Sequence, residues 1–108
     1  MPNLSGNILI VEARFYEDIA DSLVCGAQTI LEDSGKRIER LAVPGVFEIP
    51  ITIANNIKKY HAFLALGCVI KGKTPHFNFI SQATTNAIMK LSIENKKPIG
   101  NGIITCLN

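Results

Sequence analysis

Between Ile70 and Phe77 the chain reads Lys71-Gly72-Lys73-Thr74-Pro75-His76, and these residue types in this order suit two linked tasks. Gly72, Lys73 and Thr74 offer backbone N–H donors, a cation and a hydroxyl. That set suits one phosphate group at the N-terminus of a helix, where unpaired N–H groups and the helix dipole favour an anion. His76 falls in the first turn of the same helix. The positive helix end disfavours imidazolium and keeps the ring mostly neutral at physiological pH, able to accept a proton and return it. His61, between Tyr60 and Ala62, has no comparable setting and reads as a surface residue on the far edge of the sheet.

The segments that must position these residues alternate between strand and helix patterns. Ile8 to Val11 is an unbroken apolar run, the mark of a strand buried on both faces of a parallel sheet, and Glu12 to Tyr16 reads as the loop at its carboxyl end. From Asp18 to Ser34 the residues Ile19, Leu23, Ala27, Ile30 and Leu31 recur at helical spacing, with Gly35 as the stop. Ile38 to Val43 alternates in the manner of an edge strand and ends at the Pro44-Gly45 turn. A second helix spans Glu48 to Tyr60, Pro50 being tolerated in its first turn. Ala62 to Ile70 is the most apolar strand. A third helix runs from Pro75 to about Asn95, with Phe77, Ile80, Ala83, Ala87, Ile88 and Leu91 inward. Ile99 to Leu107 is a fourth strand, loosened by Gly100 and Gly102. Four strands joined by three crossover helices predict a three-layer, doubly wound, flavodoxin-like α/β domain with a parallel sheet. The loops at Arg14-Phe15, Gly45 to Glu48 and Gly72 to Thr74 then share the carboxyl edge of that sheet, where such folds bind ligands.

Composition narrows the function classes. With 108 residues, 47% hydrophobic and 19% charged, the chain holds one domain with one core. A formal charge of +2, with no basic run interleaved with aromatics, argues against nucleic acid. No apolar stretch approaches the roughly 20 residues that span a bilayer, and the start does not read as a signal peptide, so the expected location is the cytoplasm with no membrane partner. Cys25, Cys68 and Cys106 stand far apart in apolar segments with no Cys-x-x-Cys pair, which predicts three buried thiols and no metal site.

Gly67-Cys68-Val69-Ile70-Lys71-Gly72-Lys73-Thr74 satisfies the phosphate-loop pattern G-x-x-x-x-G-K-[ST]. That reading requires the residues between the glycines to form a loop around a phosphate chain. Cys68 to Ile70 instead continue an apolar strand, and no later apolar strand ends in a metal-binding Asp. A nucleotide-binding function is therefore the weaker alternative.

Three segments carry a more specific signal. Ala13-Arg14-Phe15, Val43 to Pro50 and Gly67 to Phe77 closely resemble the signature segments of the lumazine synthase family, in order and in spacing, and Pro98 to Thr105 is similar to a fourth. The resemblance implies an enzyme of riboflavin biosynthesis, a transferase. It would condense 5-amino-6-(D-ribitylamino)uracil with 3,4-dihydroxy-2-butanone 4-phosphate to 6,7-dimethyl-8-ribityllumazine, the penultimate step, without metal or organic cofactor. It also implies a homo-oligomer, a pentamer or a multiple of pentamers, with active sites between subunits.

By the same resemblance, Phe15 stacks on the pyrimidine, with a filler of the core edge as its alternative role. Val46, Phe47 and Glu48 bind the ribityl chain; Glu48 also suits a first-turn acid beside the helix dipole. Val69 and Ile70 join the substrate-binding set, Gly72, Lys73 and Thr74 take the phosphate, and His76 transfers protons. Many family members carry an aromatic where this chain has Asn101, which implies polar contacts to the pyrimidine of an adjacent subunit. Family members also continue into C-terminal helices that supply a phosphate-binding arginine, and no residue here matches it. Because three helices cannot easily cover both faces of four strands, a further amphipathic helix beyond Asn108 is expected, with neighbouring subunits packing on that edge. A non-catalytic oligomeric binding module of the same fold is the remaining alternative.

Overall fold

The computed structural model describes the backbone of residues 6–70 and 76–106, and the side chains of 6–70 and 79–105. The elements are β1 (Asn7–Ala13), α1 (Glu17–Leu31), β2 (Arg37–Val43), α2 (Ile49–Asn55), β3 (Ala62–Ile70), α3 (His76–Asn95) and β4 (Ile99–Cys106). All four strands are parallel, in the order β2-β1-β3-β4. The expected doubly wound α/β domain is therefore the observed one, with the alternating strand β2 at an edge.

Alternation along β1 and β3 distributes side chains to two cores. On one face Leu9, Val11, Ala13, Phe63, Ala65 and Val69 pack against Ile49 and Ile53 of α2 and Ile88 of α3. On the other, Ile10 and Leu66 meet Val24, with Leu23, Ala27 and Leu31 of α1 alongside. A single helix thus serves the second face. Glycines in β4 shape this face near the sheet centre: a Cβ at Gly100 would lie 2.9 Å from Leu64 Cδ1, and one at Gly102 2.7 Å from Leu66 Cδ2. The two leucines of β3 lie over the backbone of β4, so these glycines make room for them. Ile104, further along, stays partly exposed.

Several local expectations are corrected. Glu12 and Ala13 belong to β1 rather than to the following loop. Glu12 is buried, because Arg14 and Arg40 neutralise its carboxylate. Helix α1 ends at Leu31 and tightens into a 3₁₀ turn over Glu32–Ser34 before Gly35, whose φ of 76° is the left-handed stop that glycine suits. Ile30 points to solvent, and Ala20 and Val24 take the centre of the inward face. The helix expected over 48–60 is shorter: Val46–Glu48 form a 3₁₀ turn, and α2 closes at Asn55. Among the described residues of α3 the buried positions are Ile88, as expected, and Thr84 in place of Ala83, which is exposed. Cys68 is buried as expected, but Cys25 is exposed, and the side chain of Cys106 lies outside the described residues. His61 is exposed yet engaged: its Nδ1 lies 3.2 Å from the Asn7 N–H donor, joining the amino ends of β1 and β3.

Candidate active site

The carboxyl edge of the sheet is stepped. The ladder between β1 and β3 ends at the pair Glu12 and Leu66, whereas β3 and β4 stay paired as far as Ile70 and Cys106. The last residues of β3 therefore run past the end of β1 and form one wall of a crevice. Alternate residues of a parallel strand turn both backbone polar groups to the same neighbour. Of Val69 and Ile70, one accordingly directs its N–H and C=O toward the side that β1 has vacated. The crevice also lies at the switch point of the sheet, because the chain leaves β1 toward α1 on one face and β3 toward α3 on the other.

Two loops close on this step. After Ala13 the chain turns through Arg14 and Phe15 into α1, and the Arg14 N–H donates to the Val43 carbonyl at 2.9 Å, tying the ends of β1 and β2 together. Phe15 is 74% exposed. It does not fill the core edge; among the described residues its one ring partner is Tyr16, edge-on at 4.9 Å. The second loop is the Val46–Glu48 turn. The Val46 side chain is buried in the core, so this position has its main chain to offer a ligand, whereas Phe47 is exposed. Glu48 bends back to its own turn: the Gly45 N–H donates to Glu48 Oε1 at 2.8 Å. The other carboxylate oxygen has no partner among the described residues.

Beneath Phe15 lies an ionic cluster that the sequence reading did not identify. Arg40 of β2 donates from Nε to Glu12 Oε2 at 2.7 Å and from Nη2 to Glu12 Oε1 at 2.8 Å. Arg14 donates from Nη1 to Glu12 Oε1, from Nε to Glu17 Oε1 at 2.8 Å and from Nη2 to Asp21. Hydrogen bonds from Arg40 hold the Glu12 carboxyl below the usual glutamate range; burial opposes them, and Arg14 adds to them. Both guanidinium groups are correspondingly harder to deprotonate. No motif signals this cluster: it is the β1–β2 register that sets Glu12 opposite Ala42 and within reach of Arg40.

The remaining expected residues fall in three places. Gly72, Lys73 and Thr74 lie outside the described residues. His76 opens α3, as expected, and its side chain also lies outside them. Asn101 stands level with Ala65 and Val11 in the sheet register, inside the sheet and away from the stepped edge of its own subunit. Its Oδ1 accepts from the Ile103 N–H at 2.9 Å. Gly67 to Ile70 are strand, not loop, which removes the phosphate-loop reading at half of its pattern. Among the described residues no group of three or more His, Cys, Asp or Glu is placed to hold a metal, and no helix is long and apolar enough to cross a membrane.

Comparison with known proteins gives the family. The family model for 6,7-dimethyl-8-ribityllumazine synthase matches residues 5–108. The chain is 45% identical over 109 residues to the 6,7-dimethyl-8-ribityllumazine synthase of Agrobacterium fabrum, covering 94% of this chain and 74% of the relative. It is 48% identical over 105 residues to 6,7-dimethyl-8-ribityllumazine synthase 1 of Rhodopseudomonas palustris (91% and 64%). To the Bartonella bacilliformis enzyme of the same name it is 42% identical over 110 residues (98% and 72%). The chain thus spans between 64% and 74% of the length of these relatives. A doubly wound sheet, a stepped carboxyl edge carrying Phe15 and the Val46–Glu48 turn, and a family match along nearly the whole chain lead to one assignment: the chain belongs to the 6,7-dimethyl-8-ribityllumazine synthase family.

Proposed function

We propose that this protein condenses 5-amino-6-(D-ribitylamino)uracil with 3,4-dihydroxy-2-butanone 4-phosphate to give 6,7-dimethyl-8-ribityllumazine. What supports the proposal is that an exposed Phe15, the Val46–Glu48 turn and the overrunning end of β3 all stand at the carboxyl edge of the sheet. A flat heterocycle with donors and acceptors on its rim suits this arrangement, stacking on Phe15 while its edge meets the backbone groups at Val69 or Ile70. The ribityl hydroxyls then run toward the backbone of Val46 and Phe47 and the second carboxylate oxygen of Glu48. Gly72, Lys73 and Thr74 take the phosphate, and Asn101 of a neighbouring subunit helps to enclose the ring.

The reaction asks for proximity and well-timed protons. The pyrimidine amine attacks the ketone, water leaves to form an imine, inorganic phosphate is eliminated, and the second carbonyl closes the ring with loss of another water. Holding the two substrates together supplies much of the acceleration, and His76 carries protons between the steps. The assembly is a homo-oligomer, a pentamer or a multiple of pentamers. Phe79, Met89 and Ile93 support association, because they leave apolar side chains exposed along α3.

The purified protein, given both substrates, is expected to produce lumazine fluorescence and to release one inorganic phosphate per lumazine. Fluorescence that fails to appear with both substrates present would refute the activity.

A further inference from the structure

Resting on the reading of Phe15 as the pyrimidine platform, we propose that Arg14 is the positioning residue that holds Phe15 in place, bridging the buried Glu12 of β1 to Glu17 and Asp21 of α1. Phe15 has little packing of its own: it is mostly exposed and meets one ring edge-on. The backbone on either side must therefore define where its ring stands. On the amino-terminal side that backbone is Arg14, and each of three guanidinium nitrogens reaches a different carboxylate. Nη1 goes to Glu12 in β1, Nε to Glu17 in the first turn of α1, and Nη2 to Asp21 one turn further. The main-chain N–H of the same residue is bonded to Val43 at the end of β2. One side chain thus fastens the strand before Phe15 to the helix after it.

The anchor does not move with the loop. Glu12 is 2% exposed and is gripped on both oxygens by Arg40, so its position is set by β1 and β2. The planar fork of arginine allows three partners in divergent directions, which a lysine ammonium on a single stem does not reproduce. The fold should survive the loss of Arg14. Glu17 and Asp21 sit in the first two turns of α1, where the helix dipole favours negative charge, and Glu12 keeps Arg40. What is lost is the link between them.

The test compares Arg14→Gln, Arg14→Lys and the double variant Glu17→Gln/Asp21→Asn, which frees Arg14 from α1 but leaves it on Glu12. In Arg14→Gln the KM for the ribitylaminouracil should rise about tenfold, a misplacement effect, while the KM for the butanone phosphate stays within about twofold. Titration calorimetry with the pyrimidine alone should register the same weakening. The double variant should reproduce most of it, and Arg14→Lys should recover only a part. Hydrogen exchange at residues 14–17 should quicken in these variants with that of β3 unchanged. A parallel loss for both substrates, or unchanged pyrimidine binding in Arg14→Gln and in the double variant, overturns the proposal. Should Arg14→Gln fail to fold, the double variant decides alone. Phe15→Ala separates the two layers: if it leaves pyrimidine binding intact, the platform reading fails. If it weakens binding while the Arg14 and double variants do not, only the positioning role fails.

Discussion

Gly67 and Val46 stand so close that a Cβ on the glycine would lie 2.6 Å from Val46 Cγ1, and 3.1 Å from the Cβ of Ala13. The overrunning end of β3 is therefore the seat on which the Val46–Glu48 turn rests. Gly67→Ala should push that turn outward, destabilising the fold by about 1–3 kcal/mol through overpacking and weakening ribityl contacts. Gly100→Ala, whose one tight contact is the flexible end of Leu64 at 2.9 Å, should cost less stability and leave pyrimidine binding alone. Urea denaturation with KM measurements on both variants checks the contrast; equal losses would mean that the turn does not depend on the seat.

Glu12 links stability to pH. Its folded carboxyl titrates below the unfolded one, chiefly because of Arg40. The stabilisation is therefore complete above the unfolded value, about 4.3, and is lost as the pH falls through the folded value. Glu12→Gln should cost about 1.5–3 kcal/mol at neutral pH. The gap between the two urea midpoints should then close on acidification, and a gap independent of pH would mean that the charge is not what stabilises.

For His76, replacement by alanine should lower turnover by roughly 10²-fold with substrate binding little changed. Much of the rate should persist, because proximity alone accelerates such a condensation. Single-turnover lumazine fluorescence separates the two effects, and unchanged turnover would take His76 out of the mechanism.

Helix α3 ends with Lys96 at φ 53°, a left-handed residue followed by the Lys97 N–H bonded to the Ser92 carbonyl at 3.2 Å. This is the position glycine fills in such helix ends. Lys96→Gly should raise stability by about 0.5–1 kcal/mol, relief of the left-handed strain outweighing the added chain entropy. Thermal denaturation reads the sign directly.

Met89 and Ile93, one turn apart on α3, are 55% and 69% exposed. If α3 lines the subunit contact, Met89→Lys with Ile93→Lys should shift sedimentation to smaller species while circular dichroism stays helical. An unchanged sedimentation profile would move the contact elsewhere.

The parts of the fold legible in the sequence were those with one dominant signal. The apolar run Ala62–Ile70 became β3 without a residue of error, and Gly35 stopped the first helix region as glycine should. Glu12 reads as loop in the sequence, because the apolar run that marks the strand stops at Val11 and a lone carboxylate is costly to bury. What reverses that cost is Arg40, 28 residues away, a partner that only the β1–β2 register brings near. Thr84 was missed for a similar reason, since helical spacing alone does not separate an alanine from its threonine neighbour. The glycines of β4 read as loosening the strand, yet their role is to admit Leu64 and Leu66. For the site, Phe15 and the 46–48 turn could be located from motifs. The retention of Glu48 by Gly45 and the anchoring of Arg14 are three-dimensional facts without a motif.

The strand order also bears on how the chain comes to be made. β1 lies between β2 and β3, and its amino end meets β3 through Asn7 and His61, 54 residues apart in sequence. During synthesis at about 5–20 residues per second, the first strand waits roughly 3–10 s for this neighbour. Through that interval Ile8 to Val11 has at most the charged edge strand β2 to pair with, and the nascent chain depends on α1, already complete, to shelter one side of it.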